Sequence, residues 1–289
     1  MAKYPVDTLD PYVDPATGVL KNRLGISDPE LLERAEATFA AVRSYEMAVE
    51  PVHGSFDLAH LQRIHKRLFG DVYDWAGEIR TVDISKGNTR FASFLQIKPY
   101  APTITGALSH ENFLKGLDSD AFSARAGEIL GELNVLHPFR EGNGKSLREY
   151  ISQLAHGAGY GIDWQAVNHE EMIEASIRAY HGDTNGLIRL IRANIQDLDQ
   201  ELAVSLAKAT AGDKMQIYSA MNGQTYQGPI IGTTQRYVVK ASGPAMILHA
   251  RQALDKPETL AQKEPVEIRY ALGGVGTVAV PSNTRERDL

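Results

Sequence analysis

The sequence predicts a mainly α-helical body followed by a small antiparallel β-rich domain. Three observations carry that prediction. Apolar residues recur at helical spacing in one segment after another between residues 28 and 198. Beyond residue 212 the texture changes to short β-branched and aromatic runs separated by Gly, Pro and Asn. Within the helical part a single stretch, residues 78–97, has strand-forming residues on both sides of Lys86-Gly87-Asn88. With 289 residues, 43 % of them hydrophobic, the chain has material for about two domains with sizeable cores.

Residues 1–25 carry Pro, Gly and Asp and read as an extended lead-in. Residues 28–49 read as a helix with Ser27 as its N-cap, and residues 56–73 repeat the pattern, with Gly70 and Trp75-Ala76-Gly77 as its stop. Residues 78–97 read as a hairpin. Helical spacing then returns at 102–117, 123–136, 146–157, 169–181 and 184–198, and residues 199–211 read as a helix end or helical linker. KMQIYSAM, TYQGPIIG, RYVVKA, AMILHA, VEIRYAL and TVAVP read as the strands of the second domain. The expected division is therefore 1–200 and 201–289.

Charge and composition exclude several functions. The formal net charge is −6, which is wrong for a chain that coats nucleic acid. The balance is uneven: residues 201–289 hold ten basic and eight acidic side chains, so the acidic excess lies in the first 200. That near-neutral second part is no strong phosphate-backbone binder. Without cysteine there is no disulfide framework, thiolate metal site or thiol nucleophile. The opening MAKYPVDTLDPYVDP has no apolar run typical of a secretory signal, and no segment reaches the length needed to span a bilayer. The expected compartment is a reducing cytosol, with delivery into another cell left open.

HPFREGNGKSLR, residues 137–148, carries the chemistry. It looks like the end of a phosphate-binding P-loop, but that motif needs Gly at the position of Phe139 and a buried strand before the loop, where 123–136 has helical spacing. The physical content survives the loss of the name. Gly142-Asn143-Gly144 lets backbone N–H groups approach an anion, and the helix start that follows adds unpaired donors and partial positive charge. Lys145 and Arg148 add two cations. Glu141 would repel a phosphate unless a divalent cation lies between them. His137, four residues earlier, is suited to take a proton from an attacking hydroxyl. Phosphoryl or nucleotidyl transfer follows from those parts.

This stretch resembles the signature of the Fic family, H-x-F-x-[DE]-G-N-G-[RK]-x-x-R, at every specified position. GEIRTVDISKGNTRFA resembles the family's flap hairpin, and the helical texture from about residue 15 to 196 is similar to the Fic fold. The resemblance implies a Mg²⁺- and ATP-dependent protein adenylyltransferase that moves AMP onto a Tyr, Ser or Thr hydroxyl of a target protein. It implies His137 as general base, Glu141 as the Mg²⁺ ligand, Asn143 on the α-phosphate, and the backbone of Gly142 and Gly144 as the anion hole. Lys145 and Arg148 would hold the outer phosphates, and Phe139 would anchor the loop in the core. The flap residues Ile84, Ser85, Lys86, Gly87, Asn88, Thr89, Arg90 and Phe91 would pair with an extended segment of the target. Lys145 stands where Arg is commoner, which keeps the charge and loses the planar fork. Gly144 is retained where family members that phosphorylate have Lys, which favours AMP transfer over transfer of phosphate or UMP.

The family's regulatory motif, [S/T]-x-x-x-E-[GN], is absent. Glu precedes Gly or Asn only at Glu141-Gly142 and Glu111-Asn112, with His137 and Ala107 four residues before them. The resemblance then implies either a separate small antitoxin carrying that Glu, or an unregulated effector. For the toxin group it implies a bacterial type II DNA topoisomerase as target. The competing expectation is an idle Fic scaffold whose C-terminal domain, similar to short modules of plasmid-borne conjugation proteins, binds a plasmid or secretion partner. That domain is expected to serve target recruitment, delivery or antitoxin contact. Tyr180–Asn185 lies where the family's adenine pocket is completed, and by pattern it is a helix–helix turn. The histidines other than His137 show no partner spacing.

Overall fold

A computed structural model describes residues 10–212, 214–260 and 265–279. Residues 1–9 of the lead-in and the last two residues of TVAVP lie outside that range. The chain divides into two compact units, one within residues 1–157 and 162–195, the other comprising 158–161 and 196–289.

In the first unit, α1 (Pro29–Val49) starts at a proline, so the cap falls on Asp28 instead of Ser27: its carboxylate accepts from Leu31 N at 2.7 Å. The second helix, α2 (Leu58–Phe69), is capped by Asp57 and ends at Gly70, the expected stop. The hairpin is much shorter than residues 78–97. Its strands are β1 (Ser85–Lys86) and β2 (Thr89–Arg90), and α3 (Phe94–Thr105) begins directly after it. Phe94 N donates to the Asp83 carboxylate at 2.8 Å, which fixes that early start. The helix expected over 102–117 is a correction. The apolar spacing there joins the end of α3 to an irregular turn, in which Leu108 and Leu114 are buried and residues 112–114 have left-handed φ.

The long helix α4 (Ser119–Leu136) is the hub. It packs against α3, α5 (Asn143–Gly157), α6 (His169–Tyr180) and α7 (Asn185–Asn194). Phe122, Ala126, Ile129, Leu130, Leu133 and Leu136 are buried along it. A Cβ at Gly127 would lie 2.6 Å from Ile188, so the small residue permits the close approach of α7. Short strands β3 (Gly161–Ile162) and β4 (Ile195–Gln196) sit where the chain passes from one unit to the other.

The second unit starts with α8 (Leu198–Ala211) and continues as β5 (Gln216–Ser219), β6 (Thr225–Thr233), β7 (Tyr237–Ser242), β8 (Ala245–Ala250), β9 (Pro265–Tyr270) and β10 (Gly276–Ala279). They form one sheet in the order β10-β9-β6-β7-β8-β5. Among the described residues the pairings are antiparallel, as expected, except that β5 pairs parallel to β8. The alternation of Val238, Val239 and of Met246, Ile247, Leu248 sends side chains to both faces. One face packs with Ala203 and Ala207 of α8, and the other collects Tyr226, Ile230, Val266, Ile268 and Tyr270.

Candidate active site

The loop between α4 and α5 presents the predicted residues together. His137 is the C-cap of α4, with left-handed φ 46° and ψ 63°, an uncommon conformation for a non-glycine residue. Its N–H still reaches Leu133 O at 3.0 Å, while the reversed backbone turns the next residues back toward α5. Nδ1 lies 3.1 Å from Asn134 O. A carbonyl only accepts, so Nδ1 carries a proton and donates. The Phe91 ring stacks on the imidazole at 3.6 Å and 12°. His137 is thus an oriented imidazole that is 4 % exposed.

Arg80 holds that conformation from behind. Fully buried, its guanidinium donates to His137 O at 2.8 Å, to Val82 O at 2.7 Å, and to Ala92 O. Arg80 N donates to Pro138 O at 3.0 Å, and Ala92 N to Val135 O at 3.1 Å. The base of the flap and the turn bearing His137 are therefore one hydrogen-bonded unit. Burial pulls Arg80 down to about 10, which leaves it a cation at neutral pH.

Phe139 is fully buried, as its anchoring role requires. It stacks on His65 at 3.9 Å and 26°. Asn143 closes the loop: Phe139 N donates to its Oδ1 at 2.9 Å, and its Nδ2 donates to Phe139 O at 2.8 Å. Its side chain is thereby committed to the loop itself in this structure. Gly142 has φ +79°, and a Cβ there would meet the Phe69 ring at 2.5 Å, so both backbone and space demand glycine. Glu141 is 6 % exposed, with Oε1 accepting from Gly142 N at 3.1 Å.

His65 is the residue that spacing did not find. Gly77 N donates to its Nδ1 at 2.8 Å, so the proton sits on Nε2, which donates to Glu141 O at 2.9 Å. Burial pushes its pKa down to about 4, and it stays neutral between its two partners. The only sequence signal was a His on the buried face of α2.

Gly144 and Lys145 occupy the first turn of α5, and Arg148 the next. Arg148 makes no hydrogen bond to the described residues, and burial lowers its pKa. Lys145 Nζ pairs with Glu36 Oε1 at 2.9 Å. An anion could thus meet a glycine loop, a helix start and two cations, beside one carboxylate and one imidazole. Among the described residues no group of three or more His, Cys, Asp or Glu forms a metal cage. A single carboxylate suits an octahedral ion completed by phosphate oxygens and water, not an all-protein site.

The flap places Gly87 at φ +56°, which the first position of a primed two-residue turn requires. Ser85 pairs with Arg90 and Lys86 with Thr89. Lys86, Gly87, Asn88 and Arg90 are exposed, and Ser85 and Thr89 are half-buried. Ile84 and Phe91, at the two ends of the expected docking set, are buried at 2 % and 8 % exposure. Tyr180 Oη donates to Arg90 O at 2.7 Å, so the end of α6 braces the flap.

Known proteins align over the same region. The model of the Fic/DOC family matches residues 55–155, and that of the KfrB domain residues 225–280. The protein adenylyltransferase VbhT of Bartonella schoenbuchensis is 52 % identical over 199 residues, 69 % of this chain and 42 % of VbhT. A probable protein adenylyltransferase Fic of Salmonella typhimurium is 37 % identical over 65 % of this chain and 93 % of its own length. The ADP-bound N-terminal Fic domain of a VirB-translocated effector of Bartonella quintana superposes with a TM-score of 0.61 at 30 % identity, over 66 % of this chain and 97 % of that one.

Proposed function

The chain belongs to the Fic/DOC family, and from that premise we propose that it is a protein adenylyltransferase, moving AMP from ATP to a hydroxyl side chain of another protein. The enzyme class is that of its named relatives, protein adenylyltransferases. The observation that supports the reading is that His137, its ring oriented by Nδ1 on Asn134 O, lies in one turn with Glu141, Gly142 and Asn143 at the start of α5. The ADP bound by the Bartonella quintana domain supports an adenine nucleotide as the donor.

In the proposed reaction the Nε2 lone pair of His137 takes the proton of the target hydroxyl. The target oxygen bonds to the α-phosphorus, the bond from that phosphorus to the bridging oxygen breaks, and pyrophosphate leaves. The backbone of Gly142 and Gly144 and the start of α5 hold the phosphates, and Lys145 and Arg148 meet the outer ones as charge moves onto the leaving group. Asn143 reaches the α-phosphate with the Nδ2 hydrogen not used in loop closure. Glu141 is the residue that would hold Mg²⁺, which when bound neutralises phosphate charge. Ser85 to Arg90 of the flap align the target's main chain by strand addition.

We take the protein to be a toxin held in check by a separate small protein bearing [S/T]-x-x-x-E-[GN], acting in a bacterial cytoplasm on a type II DNA topoisomerase. The absence of that motif from this sequence supports a brake supplied from outside. Likeness to a VirB-translocated effector favours a second reading, delivery into another cell. The described residues contain no helix long and apolar enough to cross a membrane. Residues 201–289 are read as a binding module appended to the catalytic part, 1–200.

The test is label transfer in lysate with Mg²⁺ and ATP labelled at the α- or the γ-phosphate. A protein band labelled from the α-position alone is expected. His137→Ala should lower the rate by about 10²- to 10⁴-fold, the ordinary worth of a general base, with nucleotide affinity kept. Label arriving from the γ-position would replace AMP transfer by phosphorylation.

A further inference from the structure

Glu36 is a carboxylate on the buried face of α1, in line with Leu32, Ala40 and Met47, and is 8 % exposed. A buried charge persists only when it is paired and hydrogen-bonded. Both of its oxygens are. Tyr73 Oη donates to Oε2 at 2.9 Å, and Lys145 Nζ donates to Oε1 at 2.9 Å. Tyr73 is itself fixed, 2 % exposed and stacked on Trp75 at 4.3 Å and 20°. Burial and the neighbouring Glu36 charge raise its phenol, so it remains a donor across the neutral range. Lys145 differs: its side chain is 36 % exposed, with Nζ 5.8 Å from the centre of the Phe69 ring. That ring is the one that excludes a side chain at Gly142.

We propose that Glu36, anchored by Tyr73, is a positioning residue that aims the Lys145 ammonium at the outer phosphates of the nucleotide. This rests on the adenylyltransferase reading, which makes Lys145 a phosphate contact. A lysine is a point charge on a flexible stem, without the preset fork of arginine. Tying one of its three N–H donors to a fixed carboxylate orders the stem before ligand arrives and leaves two donors for phosphate oxygens. Protein kinases use the same device, a lysine on the phosphates held by a glutamate from a separate helix. Here the glutamate lies 109 residues from its lysine, so the seating of α1 is coupled to the grip on nucleotide. Tyr73 is needed because it occupies the second oxygen and stops the carboxylate from rotating.

The test is calorimetric titration of the full chain with ATP, ADP and AMP in Mg²⁺, for wild type, Glu36→Gln, Lys145→Ala and the double variant. AMP lacks the outer phosphates and serves as the internal control. Glu36→Gln is expected to weaken ATP and ADP by about 5- to 10-fold, as coupled charged groups do, and to leave AMP unchanged. The double variant should bind ATP no worse than Lys145→Ala alone. Should Glu36→Gln fail to fold, Tyr73→Phe decides, with a smaller loss in the same nucleotides. ATP binding that is unchanged or tighter in Glu36→Gln would overturn the proposal, as would equal losses for AMP or additive effects in the double variant. A wild-type chain that binds none of the three would instead overturn the functional reading beneath it.

Discussion

At the scale of single residues, the site depends on which nitrogen of each histidine holds the proton. His137 faces a carbonyl through Nδ1, so that nitrogen donates and the ring is oriented. His65 faces an N–H through Nδ1, so its Nε2 donates to Glu141 O. The second assignment has a consequence for stability. The unfolded imidazole takes up a proton near 6.5, the folded one only near 4, so acid favours the unfolded chain between those values. This group should remove about 2 kcal/mol of stability between pH 7 and pH 5. Urea unfolding at the two pH values should show a shallower loss for His65→Gln, even though that variant is less stable at pH 7. Equal losses in both proteins would show that His65 is not neutral in the fold. The motif itself was legible because its parts are contiguous, from His137 to Arg148. His65 and Arg80 were not, because their hydrogen-bond partners lie 76 and 57 residues away.

At the scale of elements, the flap shows what local pattern gives and withholds. Lys86-Gly87-Asn88 marked the turn because a primed hairpin turn needs the left-handed φ of Gly87. Pattern placed the hairpin too widely, since strand-like residues such as Val82 and Phe91 are apolar for the sake of the core. Tertiary contacts also decide how stiff the flap is. Tyr180 reaches it from α6, 90 residues on. Tyr180→Phe removes that hydrogen bond, worth about 1 kcal/mol, and keeps the ring. The expected result is a KM for the protein target raised about fivefold, with the KM for ATP unchanged. A rise confined to ATP would place Tyr180 with the nucleotide instead. The misplaced helix at 102–117 has a similar cause: buried Leu108 and Leu114 sit at helical spacing in a chain that is turning.

At the scale of the whole molecule, the chain divides into two compact units, and the second has its own buried polar anchor. In the second, Lys240 is fully buried and its ammonium donates to Val266 O at 2.7 Å and to Gly228 O, binding β6 to β9 from the side. Burial brings Lys240 down to about 8. Lys240→Ala leaves two carbonyls without that donor and a cavity, at a cost of about 3 kcal/mol. Calorimetry is expected to show the transition of residues 196–289 lowered, with nucleotide binding and the other transition unchanged. A shift of both transitions together would mean that the units unfold as one.

By itself the sequence determined the order of helix, flap, helix and sheet, and the loop that carries the Fic signature. Those features rest on local periodicity, turn chemistry and one contiguous motif, which neighbouring residues specify among themselves. Only the tertiary structure decided how that loop is held. Arg80 fixes the left-handed turn of His137, His65 supports Glu141, and Glu36 takes hold of Lys145. Each is a polar side chain buried against a partner remote in the chain. The need to satisfy buried donors and charges selects such pairs, and it acts only once the core has closed around them.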